Sequence, residues 1–155
     1  MDFSHEIFAV YLWRFGAAIL CGSIIGLERQ LLGKTIGLRV CILVVLTTSF
    51  FVTMASELAT QNGDIARVVA AIVTGVGFLG AGVIFRGRGH VSGITTATLI
   101  WSLAAVGCAI GLGHPGVALI ATLAVITVWL LVDAAEHFFP ALRQNSNLRQ
   151  EQGDD

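Results

Sequence analysis

Five stretches of this chain, residues 7–27, 40–58, 68–85, 93–111 and 115–133, are each long and apolar enough to cross a bilayer. A spanning helix needs about 20 mostly apolar residues, because the hydrocarbon is ~30 Å thick and each residue rises ~1.5 Å. Only the first stretch holds a basic residue well inside it, Arg14. The last two form one run, 91–132, with no Asp, Glu, Lys or Arg. That run is too long for one helix, and GLGHPG at 111–116 supplies the break: its glycines favour reversal and Pro115 suits a helix start. Composition agrees, since 12% of residues are charged where a soluble domain carries about 25%. The expected fold is all-α, a bundle of about five transmembrane helices spanning 1–139. An open sheet is excluded beside the spans, where backbone groups must be satisfied internally.

The basic residues set an orientation. Arg29, Lys34 and Arg39 fall between the first two spans, Arg86 and Arg88 between the third and fourth, and Arg143 and Arg149 after the fifth. The other side has Arg67 alone, close to Asp64. Short loops rich in Lys and Arg stay in the cytoplasm, so the N-terminus is expected outside and the C-terminus inside. The first span is expected to be a retained helix, because a signal peptide begins with positive charge and this chain begins with Asp2, His5 and Glu6. Residues 140–155 are polar without an apolar period and are expected to form a disordered cytoplasmic tail.

Chemistry-bearing motifs are sparse. TGVGFLGAG at 74–82 contains GxGxxG at Gly75, Gly77 and Gly80, but no Asp or Glu occurs between Asp64 and Asp133 to hold a ribose. Glycines in a span instead let neighbouring backbones approach. By that logic Gly22, Gly26, Gly75, Gly80, Gly82, Gly93 and Gly107 are expected packing positions. Cys21, Cys41 and Cys108 lie in apolar runs without a CxxC pair and read as small packing residues. HExxH, GxSxG and GxxxxGK[ST] frames are all missing, and His5, His90, His114 and His137 are singletons. No enzyme activity, cofactor or metal site is expected, and the net charge of −1 gives nucleic acid no footprint. Glu28, Glu57, Asp133 and Glu136 stand toward span ends, where charged residues ordinarily anchor the interface. Arg14 is expected to face the bundle and reach Glu57, near whose depth a hairpin folded at 33–34 would place it.

Polar groups concentrate at the expected cytoplasmic face: GLERQ (26–30), GLR (37–39), FLGAGVIFRG (78–87) and SGITTATLIW (92–101). From these a candidate cluster is drawn: Glu28, Arg29, Arg39, Arg86, Thr95 and Thr96. Glu28 and Arg39 lie equally far from the hairpin midpoint, so an ion pair between them is expected to anchor it.

The order GLERQ–x–GK–x–GLR, then IVTGVGFLGAGVIFRG, then V–x–GITTAT–x–IW, then GxGxxxxAL, resembles the MgtC/SapB family across most of residues 20–120. The resemblance implies a multi-pass protein of the bacterial inner membrane, linked to growth in low magnesium and, in pathogens, to survival inside host cells. Longer members carry a cytoplasmic C-terminal domain of ACT-like fold, and the 155 residues here end before such a segment. The leading functional expectation is a regulatory or accessory protein. It would sit in membrane lipid and act on another membrane protein, such as a transporter or ATPase, or pair with copies of itself. The alternative is a small transporter of Mg²⁺ or another solute.

Overall fold

The computed structural model describes residues 3–59, 62–86 and 91–138. Five helices follow in order: α1 (Phe3–Leu31), α2 (Leu38–Leu58), α3 (Asn62–Val83), α4 (Ile94–Gly111) and α5 (Pro115–Phe138). Each is long and apolar enough to cross a membrane, so the chain is an all-α, multi-pass membrane protein. Between α3 and α4 a two-residue hairpin pairs β1 (Phe85–Arg86) with β2 (Val91–Ser92), Phe85 opposite Ser92. It lies beyond the helix ends, where an open edge carries no lipid penalty. The expected tail at 140–155, with Arg143 and Arg149, lies outside the described residues, as do Arg88 and His90.

Helix ends follow from local chemistry. Gly33, with φ 63°, closes α1 in a Schellman turn. The Lys34 amide donates to the Arg29 carbonyl at 3.0 Å and the Gly33 amide to Gln30 at 3.2 Å. The same pattern recurs at Gly113, where His114 and Gly113 amides donate to Ala109 and Ile110 and Pro115 opens the next helix. The third helix starts six residues ahead of its apolar stretch, at Asn62 rather than 68. Asp64 in its first turn complements the helix dipole, and Arg67 stands 4.0 Å from it one turn on.

The fourth helix is the centre. Half of its span is buried, against 11% for α3 and α5, and it packs against all four other helices. Leu99, Ile100, Leu103, Ala104, Val106 and Ile110 form its share of one buried cluster with Ala18, Cys21 and Ile25 of α1 and Cys41 and Val45 of α2. Glycines set the closest crossings. A methyl group added at Gly22 would lie 2.7 Å from Cα of Ile42, and one at Gly26 2.7 Å from Cα of Leu38. Added at Gly107, it would lie 2.7 Å from the Thr48 Cβ and the Val45 carbonyl. Gly80 is in ordinary contact with Ala97 at 3.6 Å. Gly75 and Gly82, expected as packing positions, have open space where a side chain would go; Gly75 lines an open groove between α3 and α2.

Candidate polar cleft at the hairpin end

Gly22 and Gly26 bring α1 so near α2 that the next residues on the same face must also point inward. Ala18, Cys21, Ile25 and Arg29 follow at helical spacing, and all are buried. Arg29 is 3% exposed, nearly as enclosed as the apolar core residues Cys21 and Ile25 on the same ridge. Its guanidinium carbon lies 4.2 Å from the ring centroid of Trp129 on α5. The Nε is sealed from solvent without an acceptor. A cation over an aromatic face gains about 2 kcal/mol when desolvated, less than the several kcal/mol that burying an ion costs. The arginine is therefore only partly compensated by protein.

Arg29 lines a cleft of about 610 Å³ with Lys34 and Thr35 from the α1–α2 connection, Thr95, Thr96 and Thr98 from α4, and Trp129 and Asp133 from α5. The first turn of α4 opens into it. Gly93 caps that helix at φ 89° without a side-chain hydrogen bond. A side chain at Gly93 would overlap the Val83 carbonyl, so only glycine lets the hairpin fold back this closely. Gly93 is thus a turn residue rather than a helix-packing one. Intrahelical bonding begins at Ala97, whose amide donates to Gly93 at 2.9 Å. The amides of Ile94, Thr95 and Thr96 precede it and have no intrahelical acceptor.

Of the expected cluster, the structure brings Arg29, Thr95 and Thr96 together. Arg39 is exposed at the start of α2, and no ion pair joins it to Glu28 among the described residues. Equal depth in the hairpin did not place the two side chains on facing sides. Glu28 does not line the cleft, and its Oε1 is enclosed without a donor. Arg86 has its backbone in β1, and its side chain lies outside the described residues. Trp129 and Asp133 were not anticipated as cleft residues. The signal for Arg29 was present: it continues the Ala18–Gly22–Gly26 ridge by one further step of three.

At the opposite end, Arg14 Nη1 donates to the Gly111 carbonyl at 2.7 Å. Glu57 instead accepts from the Tyr11 hydroxyl at 2.9 Å. The expected Arg14–Glu57 pair is replaced by these two contacts, because Arg14 turns toward the end of α4 while Tyr11, a turn earlier, faces α2. Two hydroxyls deep in α2, Ser49 Oγ and Thr53 Oγ1, are buried without partners.

Comparison with known proteins places this architecture. The sequence profile of the MgtC family matches residues 15–138. Protein MgtC of Brucella abortus is 42% identical over 111 residues, covering 72% of this chain and 46% of that protein. Protein MgtC of Salmonella typhimurium is 38% identical over 125 residues, 81% of this chain and 53% of that protein. An uncharacterized protein of Haemophilus influenzae is 36% identical over 118 residues, 70% of this chain and half of its own length. The chain thus spans about half the length of the curated relatives it matches. No solved structure matches it. With five spanning helices and a profile match from the first of them to the last, the chain belongs to the MgtC family.

Proposed function

We propose that this chain is a regulatory or accessory protein of the bacterial inner membrane that supports growth in low magnesium by binding another membrane protein, such as a transporter or ATPase. The observation that carries this reading is the outward face of α3. Gly75 and Gly82 there, seven residues apart on one face, have open space where side chains would be, beside Phe78 and Leu79, which are exposed. Small residues bare of side chains let a second helix approach its backbone, which is how helices associate in lipid. In this reading the hairpin end faces the cytoplasm and the N-terminus lies outside, as the basic residues favour.

The alternative, a small Mg²⁺ transporter, would draw on oxygen ligands along a path. Glu28, Glu57 and Asp133 stand near helix ends, and no group of three metal-binding side chains exists among the described residues. Gly75→Leu and Gly82→Leu test the leading reading. Neither should disturb folding, since the space is open, yet each should abolish support of low-magnesium growth at normal membrane levels. Full support by both variants would overturn the α3 contact.

A further inference from the structure

The cleft beside Arg29 is lined by a buried cation, a second basic residue and the start of a helix. Arg29 is almost fully buried. Its Nε has no acceptor, and among the described residues no carboxylate or carbonyl takes a hydrogen bond or ion pair from its guanidinium. The Trp129 ring at 4.2 Å covers one face of the group, and Arg29 lines the cleft. A second, independent feature points into the same space. The 18-residue α4 begins there with Gly93 as its cap, which supplies no side-chain acceptor, so the first-turn amides and the helix dipole favour negative charge. Thr96, 7% exposed, adds a hydroxyl from that first turn, and Lys34 adds an ammonium from the α1–α2 connection.

We propose that this cleft binds a phosphate group. A tetrahedral oxyanion accepts a planar guanidinium fork, hydroxyls and helix amides together, and about 610 Å³ holds it with a small substituent. One carboxylate, Asp133, lines the cleft on α5, one turn beyond Trp129. It opposes a second negative charge and suits a phosphate that carries an ammonium, as an ethanolamine phospholipid headgroup does. The source is then either such a headgroup at the end of the spans or a soluble phosphate.

The test uses the purified full chain in detergent, with melting followed at constant ionic strength. Three probes are added in turn: inorganic phosphate, phosphatidylethanolamine and phosphatidylglycerol. Stabilisation by phosphatidylethanolamine above phosphatidylglycerol, with none from phosphate, supports the headgroup source; stabilisation by inorganic phosphate supports the soluble one. Arg29→Gln removes an unpaired buried charge, so without probe it should melt no lower than the parent chain, while its apparent affinity for the active probe falls at least tenfold. Thr96→Val and Lys34→Gln should weaken binding severalfold and serve if Arg29→Gln does not fold. Asp133→Asn should erase any preference for ethanolamine over glycerol. No shift with any probe, or an equal shift in the parent and in all three of the variants at Arg29, Thr96 and Lys34, would overturn the proposal.

Discussion

A methyl group at Gly22 or Gly107 would press within 2.7 Å of a neighbouring helix, whereas one at Gly75 would meet open space. Overpacking costs about 1–3 kcal/mol, so Gly22→Ala and Gly107→Ala should each lower the detergent melting temperature. Gly75→Ala should leave it unchanged or raise it slightly, since alanine is the better helix former. Equal losses at all three positions would show that α3 packs more tightly than described. The polar contacts at the far end make a second prediction. Tyr11 and Glu57 share a hydrogen bond, so Tyr11→Phe and Glu57→Gln should be strongly non-additive in a melting cycle. Arg14→Leu and Glu57→Gln should add within about 0.5 kcal/mol, because Arg14 bonds Gly111 instead. The residue scale is where the sequence was least legible. Depth along a hairpin can be counted, which made Glu28 and Arg39 look like partners; facing direction depends on neighbours far along the chain. Arg29 belongs to the expected cluster, but its ring partner, Trp129, is 100 positions away on α5 and could not be read from spacing.

At the scale of helices, apolar length and turn chemistry carried most of the fold. The five stretches correspond to the five helices, and the break at 111–116 is the observed turn at Gly113. The exceptions have local causes. The first helix continues past its apolar stretch to Leu31, because GLERQL has good helix formers and glycine arrives only at 33. The third starts six residues early, at Asn62, with Asp64 in its first turn complementing the helix dipole. Which helix is central was not legible, because in lipid all five are apolar and burial depends on the order of packing. The small residues Ala104, Gly107 and Gly111 on one side of α4 were the available clue, and all three are buried. Leu103 on that helix is fully buried, while Ile120 on α5 is exposed. Leu103→Ala should therefore cost about 2–5 kcal/mol, and Ile120→Ala, facing lipid, should melt close to the parent. Comparable losses at both would place α5 inside the bundle rather than at its edge.

For the whole molecule, the arrangement gathers its charged chemistry toward the two ends and leaves the middle to close packing of apolar residues and a few buried hydroxyls, among them Ser49 and Thr122. The hairpin end holds the Arg29 cleft; the other end holds the Arg14 and Tyr11 contacts. The bias of basic residues toward the hairpin end gives a prediction at this scale. A reporter active only in the periplasm should work when fused after residue 62 or 114 and be silent after 34, 88 or 150; the reverse pattern would invert the orientation. The distinction between an accessory protein and a transporter rests on whether the bundle offers an ion a path. Mg²⁺ gives up its waters reluctantly and needs oxygen ligands in exchange. In liposomes reconstituted with the purified chain and loaded with a magnesium-sensitive dye, uptake should match that of protein-free vesicles; protein-dependent uptake well above that baseline would contradict the accessory reading and establish transport.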